Sequence, residues 1–220
     1  MRIKALLLAA VFMPWSALGQ SKPPVDGAQL LAELRRGGTI LYFRHTSTLP
    51  EHEHEAKMRR AGLLDIADCA TQRNLSERGY KEARMQAQWI ARLGIPMGEV
   101  LASRYCRTRV HASFFTGSVT FNDALTPERN AEKAAELKRL LNRPSAPGGN
   151  TFMFAHGGIL WQATDYDSVE SELFVFRPGG TGGAELIASV KMPDWDALEA
   201  GKPCCAPRDF WSGKGTPPVE

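Results

Sequence analysis

The sequence predicts a single α/β domain, a three-layer α/β/α sandwich around a mainly parallel sheet. Three observations carry that expectation. Short apolar, β-rich runs alternate with helical patterns along the chain. The most apolar runs, Thr39–Phe43 and Thr151–Ala155, are continuous, as in strands buried on both faces. The length of 220 residues, with 43% hydrophobic and 23% charged residues and no internal repeat, suits one globular domain or at most two.

The elements follow in order. Residues 1–19 stand apart: Arg2 and Lys4 precede the apolar run Ala5–Met13, and Ala17-Leu18-Gly19 closes it with small residues. This is the pattern of a cleaved secretory signal. The run falls short of the roughly 20 residues that a bilayer core of about 30 Å requires, so no stable membrane insertion is expected after cleavage. The remaining domain, 20–220, is expected to be periplasmic or secreted, with a core over about 39–192 and a tail over 193–220. Asp26 can cap a helix over Gly27–Arg36, closed by Gly37-Gly38. Thr39–Phe43 is the first strand and stops abruptly at Arg44-His45. From Thr46 to Asn74 the chain is polar and unpatterned, a long loop with room for one helical turn near Ala56–Arg60. Leu75-Ser76-Glu77-Arg78-Gly79-Tyr80 opens a helix to about Leu93, stopped by Gly94 and Pro96. Val100–Ala102 is a second strand, followed by a helix from about Cys106. Ser118–Phe121 is a third strand, Glu128–Leu141 a helix, and Thr151–Ala155 a fourth strand ending at His156-Gly157-Gly158. Leu173–Phe176 and Ala184–Lys191 form a hairpin around Pro178-Gly179-Gly180. Trp195, Phe210 and Trp211 are expected to pack the tail onto the domain.

Charge excludes some partners. Without Arg2 and Lys4 the formal charge falls from +3 to +1, which offers no whole-molecule footprint for nucleic acid or anionic membrane. Four cysteines in an oxidising compartment allow three pairings. Cys69 with Cys106 is favoured, because both flank segments that converge on one site. The adjacent Cys204 and Cys205 would close a strained ring, and are expected to be free or paired elsewhere.

That site lies at the carboxyl ends of the strands, where open α/β sheets bind ligands. His45 and His156 each follow a strand, and the second strand ends just before Ser103-Arg104-Tyr105-Cys106-Arg107. The edge therefore collects Arg44, His45, Arg107 and His156. Guanidinium forks match phosphate oxygens and stay charged. An imidazole with one nitrogen held by a hydrogen bond is a nucleophile near neutrality. The combination suits attack by His45 on a phosphate monoester, with the arginines and His156 offsetting charge on the equatorial oxygens.

These residues carry a resemblance. Leu41-Tyr42-Phe43-Arg44-His45-Thr46 resembles the strand-ending Arg-His-Gly motif of the histidine phosphatase (phosphoglycerate-mutase-like) superfamily. Leu75-Ser76-Glu77-Arg78-Gly79 is similar to its Leu-Ser-x-x-Gly helix start. Ser103-Arg104-Tyr105-Cys106-Arg107-Thr108 is similar to its Ser-x-x-x-Arg-Thr segment, and Phe154-Ala155-His156-Gly157-Gly158 to its second-histidine motif. The four stand in family order over residues 39–190. With the signal-like start and the stretch Asp68–Arg73, the chain looks most like small exported bacterial members. The resemblance implies a hydrolase in which His45 is phosphorylated while Arg44, Arg107 and His156 grip the phosphoryl group. It implies no metal or organic cofactor, and a phosphorylated small molecule, glycan or protein as substrate.

Two departures stand out. Thr46 replaces the motif's Gly and places a side chain beside the phosphate, as a hydrogen-bond donor or as a narrowing of access. His156 is followed by Gly157, not by the Asp of acid-phosphatase relatives. Asp123, just after the third strand, is the candidate acid, with Glu51, Glu53, Glu170 and Glu172 as rivals. The alternative is a non-catalytic module of the same fold that binds phosphate or a phospho-ligand. His52 and His54 among Glu51–Glu55 also admit a metal reading, but zinc ligands usually come from more than one segment. That run is read as a solvated loop over the site, His111 as a helix-surface residue, and Arg59-Arg60 as a solvated face.

Overall fold

A computed structural model of the chain describes residues 24–206, apart from positions 51 and 129. The expected signal (1–19), Glu51, Phe210 and Trp211 lie outside the described residues. Six strands form one sheet: β1 (Ile40–Arg44), β2 (Met97–Ala102), β3 (Thr120–Phe121), β4 (Asn150–Ala155), β5 (Leu173–Arg177) and β6 (Glu185–Val190). Their order is β3-β2-β4-β1-β5-β6. The first four are parallel, and the β5–β6 hairpin extends the sheet antiparallel beside β1. The helices are α1 (Gly27–Arg36), α2 (His52–Arg60), α3 (Glu77–Arg92), α4 (Cys106–Ser113), α5 (Ala131–Leu141), α6 (Gly157–Thr164) and α7 (Trp195–Glu199).

Alternation along the strands divides the core in two, because successive side chains point to opposite faces. Leu41 and Phe43 pack with Leu34 of α1, Ile90 of α3, Ala112 of α4 and Trp195 of α7. Ile40 and Tyr42 pack with Leu137 and Leu141 of α5 and Ile159 and Leu160 of α6. Both faces are covered, which is why β1 and β4 read as unbroken apolar runs. Asp26, Ser76 and Asn130 cap α1, α3 and α5 by accepting from backbone N–H groups one turn on.

Four expectations are revised. The stretch 46–74 is not one irregular loop: it holds α2 over nine residues and a 3-10 turn at Cys69–Thr71. α2 has no apolar stripe, so hydrophobic periodicity could not reveal it. The third strand is only Thr120–Phe121, because both of its residues are exposed. α6, starting at Gly157 directly after His156, is a helix that the expected elements lacked, since two glycines at its start weaken the helical pattern. Cys204 and Cys205 are bonded to each other, buried against the start of the domain, where Val25 bridges Cys204.

The opposite end of the sheet is tied by one polar residue. Asn150 is fully buried. Its Oδ1 accepts from Thr39 N–H at 3.1 Å and Thr39 Oγ1 at 2.6 Å, while Nδ2 donates to the carbonyls of Leu34 at 2.8 Å and Pro96 at 3.0 Å. It therefore joins α1, β1 and the approach to β2. Asn150→Ala leaves those groups buried without partners and is expected to lower stability by about 2–3 kcal/mol, read as a shift in urea midpoint.

Candidate active site at the carboxyl edge of the sheet

Strand register builds the site. Arg44 lies opposite Ala155, and Ala102 opposite Phe154. His45 N–H donates to the Ala155 carbonyl at 3.0 Å, and Ser103 N–H to the Phe154 carbonyl at 3.0 Å. Three segments thus leave the sheet at one level. They bring the His45 and His156 rings to 5.3 Å between centroids. All four residues expected at this edge are buried there, Arg44 at 5% exposure, Arg107 at 1% and both histidines at 0%.

Each group is held by a specific partner. His45 Nδ1 is 3.1 Å from the Thr46 carbonyl oxygen. A carbonyl can only accept, so Nδ1 carries the proton and the lone pair sits on Nε2. Glu170 stands 3.9 Å from the same Nδ1. His156 Nε2 is 3.0 Å from Ser103 Oγ, and the Tyr42 hydroxyl donates to the His156 carbonyl at 2.7 Å. Arg44 Nη1 donates to the Ser168 carbonyl at 2.7 Å. A Cβ at Gly157 would lie 2.5 Å from that Nη1 and 2.7 Å from Ser168 Oγ. A side chain at the position after His156 would therefore require the Arg44 guanidinium and the Ser168 hydroxyl to shift. Thr46 is fully buried, and its hydroxyl has no hydrogen-bond partner among the described residues.

Arg107 stacks over Tyr105, with its guanidinium carbon 4.7 Å from the ring centroid. Its Nη1 donates to Glu55 Oε2 at 2.8 Å. The same oxygen accepts from Arg73 N–H at 2.8 Å. Burial alone would raise the Glu55 carboxyl, but the charge of Arg107 and these hydrogen bonds hold it below the usual carboxylate range. Arg73 brings a third buried guanidinium, in contact with His52 and 3.8 Å from Glu170. Burial, then the charge of Arg73, lowers the His52 imidazole. Beyond Glu55 opens a cavity of about 370 Å³, lined also by His52, Ala56, Arg59, Arg73 and Glu128.

Sequence reasoning passed over Glu55 and Arg73, and misplaced His111. Glu55 belongs to α2, not to a solvated loop. Arg59 is exposed, as expected, yet its guanidinium reaches inward: it donates to Glu55 at 3.3 Å and to the Tyr105 hydroxyl at 2.9 Å. His111 is fully buried, 2.8 Å from Gln86 Oε1, and burial holds its pKa down to about 3. Among the rival acids, Glu53 is exposed and paired with Arg60 at 2.8 Å, and Glu172 is buried and accepts from Val169 N–H at 2.9 Å. Asp123 is exposed and accepts from Arg104 Nε at 3.1 Å. The favoured disulfide is present: Cys69 is bonded to Cys106, tying the 3-10 turn to the start of α4. Among the described residues no group of three His, Cys, Asp or Glu side chains is arranged to hold a metal ion.

Compared with solved structures, the chain is similar to the protein histidine phosphatase SixA complexed with tungstate, with a TM-score of 0.51 and 16% identity. The match covers 70% of this chain and 96% of that one. The chain has the histidine phosphatase fold. Other similar structures with this fold include mycobacterial glucosyl-3-phosphoglycerate phosphatase, at TM-score 0.48 and 14% identity over 68% of this chain and 97% of that one. Phosphoserine phosphatase from Entamoeba histolytica matches at TM-score 0.46 and 11% identity, over 70% and 97%. No protein-family model matches the sequence, and no curated protein matches it. The histidine phosphatase fold here matches the three-layer expectation, with three of the four motifs at one sheet edge and the fourth, Leu75–Gly79, starting α3 against Ser47.

The buried His111 makes stability depend on pH. Its folded pKa lies below the ordinary 6.5, so the unfolded chain binds a proton that the native chain refuses. The neutral ring's contribution is complete above pH 6.5 and is lost as pH falls toward 3. Between pH 7 and pH 4.5 the wild-type chain should lose about 2–3 kcal/mol more than His111→Gln, read from urea midpoints.

Proposed function

We propose that the chain is a phosphomonoester hydrolase that works through a phosphohistidine on His45. The observation that carries this reading is the fixed tautomer of His45: Nδ1 faces the Thr46 carbonyl at 3.1 Å, which leaves Nε2 as the nucleophilic nitrogen. Around it, Arg44, Arg73, Arg107 and His156 supply positive charge and donors inside a water-poor pocket. The SixA structure holds tungstate, a tetrahedral oxyanion, on the same fold.

The chemistry follows from those positions. His45 Nε2 attacks phosphorus while the ester bond breaks in line behind it. Arg44, Arg107 and His156 bind the equatorial oxygens, where charge builds, and the Thr46 hydroxyl is placed to donate to one of them. The positive charge that forms on the His45 ring is offset by Glu170, 3.9 Å from Nδ1. Water then displaces Nε2 and releases phosphate. The substrate class is a phosphorylated small molecule, glycan or protein. We place the mature chain in the periplasm or outside the cell: the leader-like start supports export, and the Cys69–Cys106 bond suits an oxidising compartment.

The test is hydrolysis of an aryl phosphate by the mature chain in the presence of EDTA. His45→Ala is expected to lose at least about a thousandfold in kcat, and Arg107→Ala about a hundredfold or more. Undiminished turnover by His45→Ala would overturn the reading. Phosphate binding without any turnover by the wild-type chain would point to the binding module instead.

A further inference from the structure

The reaction above still needs a proton donor for the leaving group, and we infer that Glu55 is that donor; the inference rests on the His45 reading. Geometry separates Glu55 from the other carboxylates near the centre. Glu170 stands on the Nδ1 side of the nucleophile, and its two oxygens accept from Thr48 N–H at 3.1 Å and Thr48 Oγ1 at 2.6 Å. In-line displacement puts the leaving oxygen on the far side of phosphorus from Nε2, out of reach from there. Glu172 is fully buried and does not line the cavity. Asp123 is exposed and paired with Arg104. Glu128 does line the cavity, but it accepts from the Tyr105 hydroxyl at 2.5 Å and Lys133 Nζ at 3.1 Å. Its partners, Tyr105, Lys133, Thr126 and Arg59, include none of the residues that grip the phosphate.

Glu55 alone among the described carboxylates meets both requirements. It touches a phosphate-gripping arginine, Arg107 at 2.8 Å, and it forms part of the wall of the cavity that opens beside Arg73, which we assign to the alcohol portion of the substrate. The groups facing it are Arg107 of α4, Arg59 of its own helix, and the backbone N–H of Arg73. They keep the carboxylate ionised in the free chain, so the proton must arrive with the substrate. A phosphomonoester has its second pKa near 6, so a monoanionic fraction is present near neutrality. As its oxygens engage the Arg107 fork, that proton passes to Glu55. The Nε2–P bond then forms and the P–O ester bond breaks. The bonding pair stays on the leaving oxygen, which takes the Glu55 proton and departs as an alcohol. In the second half, the Glu55 carboxylate takes a proton from the attacking water as the O–P bond forms, and the P–N pair returns to Nε2.

A general acid matters in proportion to the basicity of the leaving group, which a purely orienting residue does not. The experiment compares kcat/KM of wild type, Glu55→Gln and Glu55→Ala on glycerol 2-phosphate and on 2,4-dinitrophenyl phosphate, with thermal melts confirming that each variant is folded. Both variants should lose about a hundredfold to a thousandfold on the alkyl ester and less than about fivefold on the dinitrophenyl ester, which needs no proton. Equal losses on both esters would overturn the assignment and leave Glu55 as an orienting partner of Arg107. Equal retention on both would overturn it as well. Neither result touches the hydrolase reading, which fails separately if His45→Ala stays active.

Discussion

Three guanidinium groups, Arg44, Arg73 and Arg107, are buried at one end of a parallel sheet, and the rest of the architecture answers to that fact. Removing an ion from water costs several kcal/mol unless counter-charge and hydrogen bonds replace the lost hydration. The replacements come from segments far apart in sequence: Glu55 from α2, Glu170 and the Ser168 carbonyl from the loop before β5, and Tyr105 as an aromatic face. Each of those segments is in turn positioned by the charge that it serves. α2 shows this most clearly. Its buried residue is a glutamate, so Arg107 and Arg73 supply the tertiary anchor that apolar side chains supply elsewhere.

The proposed nucleophile, His45, is held by similar means from the other side. α3 turns a polar face toward the loop that carries His45. Glu82 accepts from Ser47 N–H at 3.1 Å, Ser171 Oγ at 2.5 Å and Arg78 Nε at 2.7 Å. Burial would raise its carboxyl, but these bonds hold it below the usual range. Ser171 N–H donates to the His45 carbonyl at 3.0 Å, and Gln86, itself bonded to His111, donates to the Ser171 carbonyl at 2.7 Å. Gly79 lets the helix come this close, since a Cβ there would lie 2.0 Å from the Ser47 carbonyl oxygen. A run of buried hydrogen bonds thus leads from the core to the His45 backbone, which fixes the position of its imidazole without using the ring itself.

The legible parts of this design were those written in hydrophobic pattern. β1 and β4 announce themselves as unbroken apolar runs, and their carboxyl ends gave the neighbourhood of Arg44, His45 and His156 before any coordinates. Glu55 and Arg73 were not legible. Nothing in a polar stretch says which charged side chain will turn inward, because the decision is made by partners far along the chain: Arg107, 52 residues on, for Glu55, and Glu170 for Arg73. His111 failed for the opposite reason. α4 packs between β4 and α3, so Arg107, Thr108 and His111 are buried beside its apolar residues and one turn after Arg107 is still interior.

A buried polar shell raises a stability problem that apolar packing cannot solve. The segment 46–74 contributes little to either hydrophobic cluster, yet it must place Glu55 and Arg73 to within hydrogen-bond tolerance. The Cys69–Cys106 bond meets that need at the right point. It joins the 3-10 turn to the residue immediately before Arg107, across a separation of 37 residues. Gln72 reinforces the joint by accepting from Cys106 N–H at 2.9 Å, and Arg109 donates to both sulfurs, at 3.3 Å and 2.9 Å. The bond therefore constrains Arg73 and Arg107 together, and it does so in a form that only an oxidising compartment preserves. On the reading proposed above, export and catalysis are then linked physically: the compartment that keeps this covalent tie is the one in which the charged shell keeps its geometry.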